Sequence, residues 1–209
     1  MSLSFQSSLL DLAAEPTIGP LSHVERQVLT RGAWVDLLPG WIRGSDEVFA
    51  RLETDVAWQA ERRQMYERVV DVPRLLSFYD EGAAMPHPLL DAALDALSAH
   101  YATELGEPFR TAGLCYYRDG RDSVAWHGDT IGRSRTEDTM VAIMSFGSPR
   151  RLSLRPRDRV GATLGFPLGH GDLIVMGGSC QRTWEHAILK SARPTGPRIS
   201  AQFRPRGVR

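Results

Sequence analysis

The sequence predicts a mostly β domain of the α+β class, a double-sheet β core with helices braced on one side. Three observations carry this. Two helix-period patterns occupy the first half, at least six short strand patterns follow from Gly113 onward, and no internal repeat or low-complexity tract interrupts them. At 209 residues the chain fits one domain, 1–209, with a sizeable core.

Residues 1–32 lack a sustained period and carry Pro16 and Pro20, which reads as an arm packed on the surface. Residues 33–110 read as helical support and lid. Ser45-Asp46-Glu47 opens a helix continued by Val48, Phe49, Leu52 and Val56, an apolar stripe suited to packing on a sheet. A second helix opens at Pro88, runs through Leu90, Leu94, Leu97, Tyr101 and Leu105, and closes at Gly106, with Pro early and Gly late. Between them, Arg62 to Glu81 mixes charges with Tyr66, Phe78 and Tyr79 and reads as irregular or short-strand structure from which a lid can be built.

Residues 111–209 form the expected catalytic core. Its strands are Leu114 to Tyr117, Val141 to Phe146, Arg151 to Arg155, Leu173 to Met176, Thr183 to Ile188 and Ile199 to Arg204, separated by turns such as Asp119-Gly120 and Gly177-Gly178.

Composition narrows the function classes. No apolar run approaches the length of a membrane span, and Met1 to Ala14 carry no Lys or Arg, so a soluble cytoplasmic protein is the expectation. Cys115 and Cys180 are too few for a disulfide framework and too isolated for a thiolate zinc site. Any metal must therefore be held by His and carboxylate. Formal net charge is zero, but Met1 to Arg110 hold 9 basic and 17 acidic residues and Arg150 to Arg209 hold 12 and 3. The basic end is a candidate face for a polyanion, although neutral overall charge makes a poor electrostatic footprint.

His127-Gly128-Asp129 places an imidazole and a carboxylate two residues apart, on one face of an extended segment, with Gly128 allowing close backbone approach. His186, on a predicted strand far downstream, is the candidate third ligand; His170, in Leu168-Gly169-His170-Gly171, is a rival better suited to a turn. Two imidazoles and one carboxylate leave half an octahedron open, which suits Fe(II) taking a bidentate organic acid and then O2; zinc is the minority alternative.

Arg198, Ser200, Gln202 and Arg204 alternate with Ile199, Ala201 and Phe203, so one polar face of one strand carries two guanidiniums suited to carboxylates. Six residues of strand span about 20 Å, so both arginines meet a short dicarboxylate only by leaning inward. Arg198 is assigned to the far carboxylate, Arg204 to the metal end, and Ser200 to a hydrogen bond between them.

With these residues in place the chain resembles the AlkB family of Fe(II)- and 2-oxoglutarate-dependent demethylases. The likeness runs from about Trp58 to Arg204. It is strongest in Val72 to Tyr79, Tyr116 to Asp129, Gly171 to Gly178 with Trp184-Glu185-His186, and Arg198 to Arg204. The resemblance implies a double-stranded β-helix, or jelly roll, with iron on His127, Asp129 and His186 and 2-oxoglutarate on Tyr117, Arg198 and Arg204. It implies oxidation of an N-methyl group on a nucleobase such as 1-methyladenine or 3-methylcytosine, with release of formaldehyde and succinate. Single-stranded DNA or RNA is then the partner and a monomer the expected state. A flipped base would stack on Tyr79, with Trp58 a further candidate and Arg62 to Glu81 as the nucleotide-recognition lid.

The chain also departs from that family. Cys115 and Ser200 stand where an Asn is common, and Gln202 where a Thr is. Thr130-Ile131 replaces an acidic pair often found there, one member of which reads the base edge, and Arg133 and Arg135 follow as candidate phosphate contacts. These departures keep an alternative in view, the same oxygenase chemistry on a protein, lipid or small molecule. A scaffold with a vestigial triad is the non-enzymatic alternative.

Overall fold

Strand alternation, clearest in the second half of the chain, builds two facing sheets in the computed structural model, which describes residues 15–65, 68–130 and 132–208. Met1 to Ala14 of the expected arm, Tyr66 of the expected lid, Ile131 and the Arg133 side chain lie outside the described residues. The elements are β1 (Thr17–Ile18), β2 (Glu25–Val28), β3 (Ala33–Leu38), β4 (Ile42–Arg43), α1 (Ser45–Asp55), β5 (Gln59–Met65), β6 (Arg68–Tyr79), α2 (Pro88–His100) and α3 (Ala102–Leu105). They continue as β7 (Thr111–Tyr117), β8 (Val124–His127), β9 (Val141–Gly147), β10 (Arg150–Pro156), β11 (Leu164–Leu168), β12 (Asp172–Gly178), α4 (Cys180–Thr183), β13 (Trp184–Ile188) and β14 (Arg198–Arg204).

An eight-stranded sheet runs β2-β3-β12-β9-β14-β7-β6-β5, and a four-stranded sheet runs β11-β10-β13-β8. The large sheet takes four of its strands, β2, β3, β5 and β6, from residues before 110. Its two faces have different partners. Leu76, Tyr117, Ile143, Ile174 and Met176 meet Leu152, Leu154, Phe166, Trp184 and Ile188 of the small sheet. Leu114, Met144, Phe146, Ile199 and Phe203 meet Val48 and Leu52 of α1 and Leu90 and Leu97 of α2. Burial of both faces of the large sheet is what holds the layers together.

Several expectations change. Ser45 begins α1, but the cap before it is Gly44, in the left-handed conformation at φ 65. The helix expected to run unbroken from Pro88 to Gly106 pauses at Tyr101 and ends at Gly106, φ 73, where glycine tolerates a backbone that other residues resist. His87 caps α2, its Nδ1 accepting from the Leu89 amide at 3.1 Å. Arg62 to Glu81 is chiefly the hairpin of β5 and β6, a regular extension of the large sheet. In the sequence its charges fall at both odd and even positions, Arg62 and Arg63 among them, so alternation is hard to read.

β3, within the expected helical support, and β2, within the expected arm, close the opposite edge of that sheet. Arg26 of β2 forks onto the buried Asp36 of β3 at 2.7 and 2.8 Å, and the Tyr101 hydroxyl donates to the same carboxylate at 2.9 Å. Among the described residues no helix is long and apolar enough to cross a membrane.

Candidate metal and co-substrate site

β8 is the edge strand of the small sheet, and its register sets His127 directly opposite His186 of β13, ring centroids 4.2 Å apart. The strand stops at His127. Asp129 therefore does not share an extended face with it, as alternation alone would have it. The chain turns instead, with the Thr130 amide donating to the Gly128 carbonyl at 2.8 Å. A Cβ on Gly128 would collide with the Gln181 carbonyl oxygen and stand 3.2 Å from that of Trp184, so only glycine lets this turn lie against the segment leading to His186. The Asp129 amide donates to Gln181 Oε1 at 3.0 Å, which fixes the turn from α4.

The potential ligand atoms of His127, Asp129 and His186 all lie within 4.8 Å of one another. Nδ1 of His127 is 2.8 Å from the Ala125 carbonyl, which can only accept, so that nitrogen carries the proton and Nε2 keeps its lone pair for a metal. Burial alone would raise the Asp129 carboxyl, but Arg204, 2.7 Å away through Nε, together with His186 and His127, holds it well below the usual carboxylate range. Burial, reinforced by His127, pushes His186 down to about 3. A buried carboxylate and a neutral buried imidazole at neutral pH are the forms a divalent cation requires. Three ligands with positions left open suit Fe(II) and a bidentate acid. His170 is not part of the cluster: in its turn, Nδ1 accepts from the Gly147 amide at 2.7 Å and Nε2 lies 3.1 Å from Asp46.

β14 lies between β7 and β9, and its polar face turns toward the small sheet together with Tyr117 and Cys115. Arg198 is 1% exposed. Its Nε donates to the Ser145 hydroxyl at 3.0 Å, while Nη1 is buried with no hydrogen-bond partner among the described residues. Such an orphaned donor fits the buried end of an anion. The Tyr117 ring lies 5.3 Å from its guanidinium carbon. Arg204, at the other end of the strand, leans to Asp129. Ser200 between them accepts from Gln202 Nε2 at 2.5 Å, and the Cys115 thiol is 3.6 Å from Gln202 Oε1.

Tyr79 and Trp58 are not brought to this site. β6 pairs Tyr79 with Ala112, so its side chain packs on the helix side of the large sheet. Trp58 lies on that side too, its ring 5.3 Å from that of Tyr116 and its indole NH donating to the Leu52 carbonyl at 3.2 Å. The aromatic that β6 presents to the metal face is Phe78, paired with Gly113 and 63% exposed. Sequence reading passed over Phe78, although alternation counted from Leu76 reaches it; nothing in the sequence marks Gln181.

Residues 47–206 match the 2OG-Fe(II) oxygenase superfamily. Among curated relatives, alpha-ketoglutarate-dependent dioxygenase alkB homolog 3 of Bos taurus is 30% identical over 83% of this chain and 68% of that protein; the Homo sapiens counterpart is 28% identical over the same shares. DNA oxidative demethylase ALKBH2 of Homo sapiens is 26% identical over 77% of this chain and 68% of its own length. Among solved structures, a Pseudomonas putida prolyl-4-hydroxylase superposes with TM-score 0.57 at 17% identity, over 83% of this chain and 93% of that one. OsALKBH1 gives TM-score 0.57 at 14% identity, over 85% and 100%. At those identities the structures speak for the double-stranded β-helix fold alone. The superfamily match over most of the chain and the curated relatives agree with the triad, and this chain belongs to the AlkB-homologue family of Fe(II)- and 2-oxoglutarate-dependent dioxygenases.

Proposed function

We propose that this dioxygenase oxidatively demethylates N-alkylated nucleobases, such as 1-methyladenine and 3-methylcytosine, in single-stranded DNA or RNA. The observation that carries the proposal is the exposed ring of Phe78. A Cβ on Gly113 would lie 3.4 Å from Phe78 Cδ1 and 3.1 Å from Arg204 Nη1, and Arg204 holds Asp129, so the ring stands one guanidinium away from a metal ligand. An exposed aromatic beside a buried reactive centre suits a base taken out of its stack. Similarity to a protein named a DNA oxidative demethylase supports the same substrate class.

In this reading His127, Asp129 and His186 hold Fe(II), and 2-oxoglutarate extends from the metal to Arg198 and Tyr117, past Arg204 and Ser200. Bound iron, O2 and 2-oxoglutarate supply the oxidation of a methyl C–H to C–OH, with loss of CO2 and formation of succinate; the hydroxymethyl then leaves as formaldehyde. The chain's own residues do the rest. Arg198 receives the far carboxylate, Arg204 keeps Asp129 ionised, and the apolar layer between the sheets excludes water from behind. The β5–β6 hairpin serves as the nucleotide-recognition lid, with Phe78 beneath the base and Tyr79 and Trp58 bracing the hairpin from the helix side.

The test is succinate and formaldehyde production by anaerobically Fe(II)-loaded protein after O2 is admitted, with methylated or unmethylated single strands, beside Asp129→Ala. Stimulation by the methylated strand alone, absent from the variant, is the expected result. Metal-dependent turnover that no methylated strand stimulates would move the substrate to a protein, lipid or small molecule.

A further inference from the structure

Two buried guanidinium N–H groups find no partner among the described residues, Nη1 of Arg198 and Nε of Arg74. Arg74 is on β6. The register sets Leu76 opposite Cys115, and two residues further along these antiparallel strands Arg74 comes level with Tyr117 on the same face. Cys115 and Tyr117 are accordingly side chains with which the Arg74 guanidinium interacts. Arg198, level with Tyr117 from the other flank of β7, places its guanidinium carbon 5.3 Å from that ring.

The polar contacts that these two arginines make are with neutral groups, the Cys115 thiol beside Arg74 and the Tyr117 phenol beside Arg198 among them. Arg74 Nη1 donates to the Ser123 carbonyl at 3.2 Å, and Arg198 Nε to the Ser145 hydroxyl at 3.0 Å. Arg150 is also near the ring, at 5.7 Å, but its guanidinium is taken up by the carbonyls of Asp119, Asp122 and Leu189. A buried N–H without a partner is costly, and two of them that flank one phenol are arranged for an anion delivered from outside.

We propose that Arg74 is a second guanidinium for the far carboxylate of 2-oxoglutarate, closing with Arg198 a two-armed clamp beside Tyr117. The proposal rests on the placement of the co-substrate against Tyr117 and Arg198 given above. It also gives a reason for Cys115. At that position this chain has a thiol beside Gln202, a weak donor, and the neighbouring strand supplies a charged N–H. Two guanidiniums on one carboxylate sharpen the preference for a dicarboxylic over a monocarboxylic 2-oxo acid.

The experiment is calorimetric binding of 2-oxoglutarate and of 2-oxopentanoate, which replaces the far carboxylate with a methyl, to Zn(II)-loaded protein that cannot turn over. Arg74→Gln should weaken 2-oxoglutarate about tenfold, as expected for a lost charge-assisted hydrogen bond, and leave 2-oxopentanoate and Zn(II) affinity unchanged. Unchanged 2-oxoglutarate affinity, or equal weakening of both acids, overturns the clamp. If Arg74→Gln does not fold, Arg74→Lys carries the test: a narrowed affinity ratio between the two acids supports the clamp and an unchanged ratio overturns it. Arg198→Gln runs alongside. If it binds 2-oxoglutarate as well as the parent, the underlying placement fails; if it loses binding while Arg74→Gln does not, only the clamp fails.

Discussion

Nε of Arg204 donates to Oδ2 of Asp129 at 2.7 Å, so the strand read as holding the co-substrate also grips a metal ligand. Without a metal, this guanidinium is the counter-charge of a buried carboxylate. Arg204→Gln should cost the metal-free protein about 3 kcal/mol, the penalty for leaving a buried charge unpaired. Zn(II) should restore much of it, because the ion takes over the neutralising role. Thermal melts with and without Zn(II) check this, and a metal-induced rise in Tm no larger in the variant than in the parent would refute it.

His186 makes the metal-free protein acid-sensitive. Its folded value, about 3, lies below the ordinary 6.5 because burial and His127 disfavour the charged ring. A depressed value means that the unfolded chain binds the proton first. The contribution is therefore full above about pH 6.5 and is lost progressively as pH falls toward 3, at about 1.4 kcal/mol per unit. The metal-free Tm should drop between pH 7.5 and 5, and His186→Gln should flatten that drop.

Gly128→Ala should weaken metal loading without dissolving the fold. The added methyl meets backbone oxygens of Gln181 and Trp184, which cannot rotate away, and Arg157 Nη2 at 2.7 Å. The turn must then withdraw Asp129 from His186. Zinc affinity by calorimetry should fall about tenfold or more, while far-UV circular dichroism stays unchanged.

Phe78→Ala should raise the KM for a methylated strand about five- to a hundredfold, the range of one lost base–aromatic stack. Turnover of 2-oxoglutarate without nucleic acid should be unaffected. Tyr79→Leu, which removes a ring on the opposite face, should leave both intact; a rise in KM larger than that of Phe78→Ala would return the base to Tyr79.

The parts of the site legible in the sequence were those written in residue identity. His127, Asp129, His186, Arg198 and Arg204 stand out because few side chains hold iron or a carboxylate, and β14 announces its polar face by strict alternation. What the sequence hid depends on which side of a sheet a residue takes. Tyr79 and Phe78 are adjacent and both aromatic, and only the pairing of Phe78 with Gly113 shows which one faces the metal. β3 escaped because it is covered on both faces, Val35 toward one core and Trp34 toward the other, so no polar face marked its period. Gln181 was invisible because a four-residue helix has no periodicity to read.

The two halves of the site are anchored at different depths of the architecture. Arg198 and Ser200 ride an interior strand hydrogen-bonded on both flanks, whereas His127 sits at the end of a four-residue strand with one neighbour. Opening of β8 needs few bonds to break; opening of β14 needs the large sheet to come apart. Mild heat or denaturant should therefore release the metal while the co-substrate cradle survives, so that inactivation runs in a fixed sequence and its early stage is reversible on refilling with iron.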